Sequence, residues 1–176
     1  MPSPTSPMGQ TVSFRPAQPA DYGAIAAIYN EAIACGGITM DATPYSASDV
    51  QAIIQKMGDR EVFLVAEQGD RLLGWGAVKR YSDRLGYRFC CETSIYLTFS
   101  QTGKGYGHQL QAALMAQAKA FQYHHIVVKI VAQNWDSVRF HQRFGFEIIG
   151  IQKEIGYANG AWQDVVIMQY LFNNFD

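Results

Sequence analysis

Three glycines alternate along the stretch QTGKGYGHQL, residues 101–110. The stretch follows an apolar, strand-like run, SIYLTF, and leads into a helix-like run, HQLQAALMAQAKAFQ. A glycine-rich turn between a strand and a helix leaves backbone N–H groups free at the positive end of the helix dipole, where a phosphate can bind. The alternative interpretation is a plain tight turn, in which glycine serves only its backbone freedom.

The spacing of these glycines differs from the two best-known phosphate-binding motifs. A P-loop, G-x-x-x-x-G-K-[ST], needs a Lys-Ser or Lys-Thr pair, whereas Lys104 is followed by Gly105. A dinucleotide fingerprint needs G-x-G-x-x-G in a first βαβ unit, whereas this loop reads G-x-G-x-G and comes late in the chain. A phosphate site here would therefore depend on the N–H groups of the turn and of the helix that follows.

Hydrophobic periodicity and turn residues predict the elements that position this loop. After a short strand, Phe14–Pro16, a first helix begins at Asp21 and ends at Gly36, and Ser48 caps a second helix. The later elements are a hairpin turning at Gly69 and Asp70, a strand Phe89–Phe99, the glycine loop and its helix, a strand HIVVKIVA, a short helix Ser137–Phe144, a strand FEIIG and a hairpin turning at Asn159 and Gly160. This order predicts an α/β (α+β) fold, with a mixed, largely antiparallel central sheet flanked by helices. We expect one domain over residues 13–176 after a disordered tail, residues 1–12, which carries three prolines.

Composition excludes several classes of protein. The 176 residues are 48% hydrophobic and 16% charged, with a formal net charge of −1, which argues against a nucleic-acid or anionic-membrane binder. The longest apolar runs, such as IVVKIVA, are short and interrupted by Lys129, so we expect no membrane span. Three cysteines without a C-x-x-C spacing predict a reducing cytoplasm, and the four histidines show no metal-ligand spacing, so we expect no metal.

Several segments together resemble one enzyme family. TGKGYG, residues 102–107, resembles the [QR]-x-x-G-x-[GA] pyrophosphate loop of the GNAT acetyltransferases, although Thr102 stands where Gln or Arg is usual. The segments IYNEAI, ITMDATP, ETSIYL, NWDSVRFHQRFGF and GYANGAWQDVVIMQ resemble the phosphinothricin and methionine-sulfone N-acetyltransferases. The likeness runs from about Phe14 to Leu171 and implies a GNAT fold that uses acetyl-CoA.

The resemblance implies which residues hold acetyl-CoA. We expect the oxyanion of the reaction to meet a backbone N–H of the strand segment 95–97, and Asn134 to bond the pantetheine arm with Ser137 nearby. Asn134 can also serve simply as a helix cap. With Thr102 in the loop, affinity would depend more on backbone N–H groups and on Lys104. The full expected set is Ile95, Tyr96, Leu97, Thr102, Gly103, Lys104, Gly105, Tyr106, Gly107, His108, Asn134 and Ser137.

Two residues are the catalytic candidates. Glu92 matches the glutamate that the family uses as its general base, whereas a glutamate on such a strand could equally face solvent. His141 stands where many GNAT enzymes carry a tyrosine that protonates the leaving thiolate. It could donate that proton, orient Glu92 or contact the substrate, or it could be a helix histidine bonded to a carbonyl. The predicted strand offers no Cys–His pair, which favours direct attack over an acetyl-enzyme.

For the acceptor, the resemblance implies a pocket near the loop that precedes Glu92. Arg84 would bind a carboxylate in two parallel hydrogen bonds, although a loop arginine is usually just solvated. The terminal hairpin, with Tyr157 and Trp162, helps to form the family's dimer, so we expect a homodimer. The expected acceptor-binding set is Asn30, Glu31, Thr39, Met40, Arg84 and Tyr87.

The sequence therefore predicts transfer of an acetyl group from acetyl-CoA to the α-amino group of a small amino acid or analogue, of the phosphinothricin, methionine sulfone or methionine sulfoximine type. One alternative is an acetyltransferase for a peptide amino terminus or a polyamine. The other is a CoA-binding sensor without chemistry, against which the presence of both Glu92 and His141 argues.

Overall fold

The structure, a computed structural model, describes residues 11–173. Residues 1–10 of the predicted disordered tail lie outside the described residues. Val12, the last residue of that predicted tail, packs against the main hydrophobic core. The order of elements is the predicted one.

The helices and strands have the following bounds. The helices are α1 (Tyr22–Cys35), α2 (Ala47–Ile54), α3 (Tyr106–Ala120) and α4 (Trp135–Arg143). The strands are β1 (Ser13–Pro16), β2 (Val62–Gln68), β3 (Arg71–Arg80), β4 (Cys90–Leu97), β5 (His125–Val131), β6 (Glu147–Ala158) and β7 (Ala161–Leu171). Short 3-10 helices lie at Pro19–Asp21, Leu85–Tyr87 and Phe99–Gln101.

The strands form one seven-stranded sheet in the order β1-β2-β3-β4-β5-β7-β6. Every neighbouring pair is antiparallel except β4 and β5, which run parallel because α3 connects them. The register of β4 and β5 runs only from Cys90 opposite His125 to Glu92 opposite Val127, although both strands continue further. The middle of the sheet therefore opens into a gap beyond Glu92.

Each face of the sheet packs against helices. On one face, Leu110, Leu114 and Ala118 of α3 are fully buried in a cluster that also contains residues of β2, β3, β4, β5 and β7, at the helical spacing that the sequence predicts. On the other face, α1 and α2 bury a second cluster that contains Ile25 and Trp75. Strand alternation places Cys91 in the core below α3, and Cys90, Glu92, Ser94 and Tyr96 on the face toward α1.

Some local predictions were wrong. Ser46, not Ser48, caps α2, because its hydroxyl accepts a hydrogen bond from the Asp49 amide while Asp49 bonds back to the Ser46 amide. β4 is shorter than predicted, since Phe89 precedes it and Phe99 begins a 3-10 helix. The segments FEIIG and IQKEIGYA form a single strand, β6, with two irregularities in its register against β7.

Candidate active site

The glycine loop has the geometry of an open turn at a helix amino terminus. Gly103 and Gly105 have φ of +74° and +86°, a left-handed conformation that other residues rarely adopt, and an added Cβ would meet nothing within 4 Å at either position. No side chain caps α3, which begins at Tyr106. The first-turn N–H groups of this fifteen-residue helix are therefore available to an anion in the open space above the loop.

The edge of β4 that faces the gap carries unpaired backbone groups. Thr98 donates its N–H to the Leu73 carbonyl, and the Cys90 carbonyl accepts from Tyr81, so the even-numbered residues of β4 direct their backbone groups toward β3. Alternation then directs the N–H groups of Ile95 and Leu97 toward β5. Because the ladder with β5 ends at Glu92, these two N–H groups face the gap.

A cavity of about 470 Å³ joins this gap to the glycine loop. Its lining contains all of the expected acetyl-CoA-binding residues except Lys104 and Tyr106. Lys104 instead donates from Nζ to Gln101 Oε1 over 3.2 Å, and Tyr106 packs against the main core. We call this the cofactor cavity. The residues expected from sequence that line it are Ile95, Tyr96, Leu97, Thr102, Gly103, Gly105, Gly107, His108, Asn134 and Ser137.

Helix α4 forms the opposite wall of the cofactor cavity. Asn134 caps it, accepting a hydrogen bond from the Ser137 amide over 3.2 Å, which is the structural role that the sequence left open. Asp136, Phe140 and Arg143 also line the cavity and were missed from sequence. They recur at intervals of three to four residues, on the same side of the helix as Ser137, so helical periodicity was the signal that could have found them.

His141 lies behind this wall and is only 3% exposed. Its Nδ1 is 2.8 Å from the Ser137 carbonyl oxygen, which can only accept, so Nδ1 carries a proton. Burial lowers the pKa of His141, which keeps the ring neutral and leaves a lone pair on Nε2. With Thr93, Ile95 and Lys129 among its neighbours, the ring lines a small cavity of about 60 Å³ between β4 and β5.

A second, larger cavity of about 810 Å³ lies on the α1 face of the sheet. Three residues of the expected acceptor-binding set, Thr39, Met40 and Tyr87, line it. We call it the acceptor cavity. Its wall also includes residues of β5, β6 and β7 that the sequence did not single out, among them Lys129, Ile149, Gln152 and Gln169.

The other three residues of the acceptor-binding set do not line the acceptor cavity. Asn30 bonds the backbone of Tyr45 through both its amide nitrogen and its amide oxygen, at 2.9 and 2.8 Å. The Glu31 carboxylate accepts hydrogen bonds from the Thr98 hydroxyl and the Phe99 amide. Arg84 is exposed and starts the 3-10 helix that holds Tyr87. The structure therefore places Asn30 and Glu31 in positions that shape the loops around the site.

Glu92 sits beside the acceptor cavity and is ion-paired. Its Oε1 accepts a hydrogen bond of 2.6 Å from Lys129 Nζ, and its side chain is 33% exposed. Its position opposite Lys79 on β3 places it on the same sheet face as Tyr96. Glu92 is hydrogen-bonded to Lys129, and His141 is hydrogen-bonded to Ser137. The open gap lies between these two hydrogen-bonded pairs.

The acceptor cavity and the cofactor cavity meet. Ile38 and Tyr96 line both of them. Burial raises the pKa of Tyr96 to about 12, so its hydroxyl stays protonated at the junction. A ligand in one cavity can therefore reach a ligand in the other beside the Ile95 and Leu97 N–H groups.

Comparison with known proteins identifies the family of this chain. A family model described as an acetyltransferase (GNAT) domain matches residues 14–167. The chain belongs to this family. It is thus an enzyme, an acetyltransferase with the GNAT fold, as the resemblance of its motifs implies.

Three individual relatives are similar to most of this chain. The chain is 32% identical to an L-methionine sulfoximine/L-methionine sulfone acetyltransferase of Pseudomonas paraeruginosa over 90% of this chain and 94% of the relative. It is 30% identical to a phosphinothricin N-acetyltransferase of Alcaligenes faecalis, over 89% and 80%. A solved phosphinothricin acetyltransferase of Sinorhizobium meliloti, in complex with acetyl-CoA, is 29% identical with a TM-score of 0.86, over 92% of this chain and 89% of that one.

No group of three or more His, Cys, Asp or Glu side chains within residues 11–173 is arranged to hold a metal ion. In the same part of the chain, no helix combines the length and the apolar character needed to cross a membrane.

Proposed function

We propose that the protein transfers the acetyl group of acetyl-CoA to the α-amino group of a small amino acid or analogue, of the phosphinothricin or methionine sulfone type. The observation that carries the proposal is the junction of the two cavities at Ile38 and Tyr96, beside the open edge of β4. The names of the relatives support the acceptor class. The alternating-glycine loop and the uncapped start of α3 fit a pyrophosphate, and the gap fits an extended arm.

Acetyl-CoA supplies an acetyl thioester, which is activated toward an amine. Glu92 accepts a proton from the acceptor ammonium, so that the nitrogen gains a free electron pair for direct attack. The N–H groups of Ile95 and Leu97 donate hydrogen bonds to the carbonyl oxygen as it gains negative charge. Burial raises the pKa of the Cys90 thiol to about 11 and that of Cys91 still further, which argues against a cysteine nucleophile.

His141 completes the proton balance of this proposal. After attack, the nitrogen carries one proton too many and the departing sulfur lacks one. The neutral ring can accept a proton at Nε2, while Nδ1–H stays bonded to the Ser137 carbonyl. It then returns that proton to the sulfur. This role needs no contact between His141 and Glu92.

Replacing Glu92 by glutamine tests the base. The amide keeps an oxygen that can accept from Lys129 but cannot take up the proton, so we expect turnover to fall by about 10²–10⁴-fold. The dissociation constant for acetyl-CoA, measured by calorimetry, should not change. Glu67→Gln, which alters an ion pair between Glu67 of β2 and Arg15 of β1, is the matched control. Unchanged turnover in Glu92→Gln would show that another group accepts the proton.

The acceptor class is tested by CoA release with free amino acids and analogues beside a short peptide and a polyamine. Selective turnover of phosphinothricin or methionine sulfone is the expected result. Turnover of the peptide or the polyamine alone would show that the acceptor is a peptide amino terminus or a polyamine, and not a small amino acid. Binding of acetyl-CoA without turnover of any acceptor would favour a CoA-binding sensor.

The β6–β7 surface supports a homodimer as part of this proposal. β6 is an edge strand of the sheet, and its exposed apolar side chains include Ile149 at 53% and Ile155 at 57%. Both residues line the acceptor cavity. At the turn of the hairpin, Tyr157 and Trp162 pack edge to face and are about 62% exposed. A second copy that covered this surface would close the acceptor cavity from outside. The cytoplasmic location stays a prediction.

A further inference from the structure

The acceptor cavity contains a single formal charge. Among the described residues that line it, Lys129 is the one with a permanently charged side chain. His125 adds no charge near neutral pH, because burial and the neighbouring His124 lower its pKa. The polar residues of the wall, such as Gln152 and Gln169, are neutral. A zwitterionic acceptor would thus find one cation and no competing anion on the wall itself.

Lys129 is placed to serve both the acceptor and Glu92. Its ammonium has three N–H donors, one of which bonds Glu92 Oε1 over 2.6 Å. Its side chain is 49% exposed, and its Nζ lies 5.7 Å from the centre of the Tyr81 ring, another part of the cavity wall. The ammonium therefore keeps donors that can turn into the cavity while its stem remains fixed on β5.

We propose that Lys129 determines acceptor specificity by binding the carboxylate of the acceptor amino acid. As it does so, Lys129 draws away from Glu92, and the Glu92 carboxylate becomes free to take the ammonium proton. An acceptor that lacks the carboxylate leaves the ion pair closed. This inference rests on the proposed function and replaces Arg84 as the carboxylate partner, since Arg84 does not line the cavity.

The same arrangement predicts which acceptors are rejected. A polyamine or a basic amino acid would bring a second cation next to Lys129, where like charges repel. A sulfone, sulfoximine or amide side chain is neutral and can accept hydrogen bonds from the Gln152 and Gln169 amides or the Tyr87 hydroxyl on the wall. The cavity thus favours a free carboxylate combined with a polar side chain that carries no positive charge, which includes the anionic phosphinate of phosphinothricin.

The test compares methionine sulfone with its primary carboxamide, which keeps the amine and the side chain but lacks the anion. The variants are Lys129→Met, which keeps the length of the stem, and Lys129→Arg, which keeps the charge. Lys153→Met is the matched control, because Lys153 forms a comparable ion pair of 2.8 Å with Asp164 outside the cavity. Circular dichroism and thermal unfolding check that each variant is folded.

We expect the wild type to prefer methionine sulfone over the carboxamide. Lys129→Met should lower kcat/KM for methionine sulfone by about 10- to 100-fold, the usual worth of a hydrogen bond to a charged group, and should change the carboxamide by much less. Lys129→Arg should keep most of the preference, and Lys153→Met all of it.

An equal loss for both acceptors in Lys129→Met would overturn the inference, because Lys129 would then act only on Glu92. An unchanged preference would overturn it too. If the wild type acetylates the carboxamide as well as methionine sulfone, the carboxylate is not recognised and the inference fails while the proposed function stands. If the wild type acetylates no free amino acid, the proposed function fails and the inference fails with it.

Discussion

Replacing Gly74 by alanine tests whether the close approach of β3 to β4 shapes the cofactor cavity. Gly74 lies opposite Leu97, and an added Cβ would stand 2.6 Å from the Tyr96 carbonyl oxygen and closer still to Leu97 Cδ2. Ordinary van der Waals contact begins at 3.4 Å, so the backbone of β4 must retreat by up to about 0.8 Å. The direction open to it is the gap, into which the Leu97 N–H points.

The strain and the displacement have separate expected magnitudes. Forcing an extra methyl group into a packed site costs about 1–3 kcal/mol of the free energy of unfolding. Stretching one hydrogen bond from β4 to acetyl-CoA removes up to about 0.5–1.5 kcal/mol, which raises the dissociation constant by about 2- to 12-fold. The two effects should appear together, because one movement of β4 causes both.

Urea unfolding measures the first effect, and calorimetric titration with acetyl-CoA measures the second. Gly23→Ala is the control, since Gly23 lies in the first turn of α1 and an added Cβ there meets nothing within 4 Å. That variant should gain about 0.4–1 kcal/mol of stability and bind acetyl-CoA normally. Wild-type stability and affinity in Gly74→Ala would refute the reasoning, because they would show that the strands separate freely.

Two further predictions concern the protonation of His141 and the proposed homodimer contact at the terminal hairpin. The pKa of His141 lies below the ordinary 6.5, so the ring should be neutral at pH 7 with its proton on Nδ1, and should become charged only as the pH falls below 6.5. Long-range ¹H–¹⁵N NMR reports both properties, and a proton on Nε2 at pH 7 would contradict the proposed role. Trp162→Glu places a charge on the exposed hairpin and should convert a dimer to a monomer in light scattering, whereas Leu85→Glu, at a residue 75% exposed outside the hairpin, should not. The same oligomeric state in both variants would place the contact elsewhere.

Local signals allowed much of the fold to be predicted. The Asn159-Gly160 turn, the glycine loop and the spacing of Leu110 and Leu114 each depend on residues close together in sequence, and the structure confirms the elements that they indicate. The cap of α2 shows the limit of such signals. Ser46 and Ser48 are both good caps, and the reciprocal bond with Asp49 decides between them.

Contacts between strands that are distant in the sequence could not be predicted from local patterns. In the sequence, Lys129 stands out only as a polar interruption in an apolar strand, and its proposed role depends on the parallel register that brings β5 beside β4. Because α3 lies between these two strands in the sequence, no hairpin turn fixes that register. Arg84 shows the same limit: it lies near Glu92 in the sequence, but it does not line the acceptor cavity.

The short register between β4 and β5 also has a mechanical consequence. Strands β1 to β4 form one half of the sheet, and strands β5, β7 and β6 form the other half. Three residue pairs, from Cys90 to Glu92 of β4, join the two halves. On the side of α3, core residues of both halves belong to one hydrophobic cluster with Leu110 and Leu114. On the other face of the sheet, the ion pair between Glu92 and Lys129 also joins the two halves, next to the last of these residue pairs. A ligand arm that filled the gap and contacted both β4 and β5 would extend this connection, so we expect occupancy of the gap to stiffen the whole sheet and not only the ligand's own pocket.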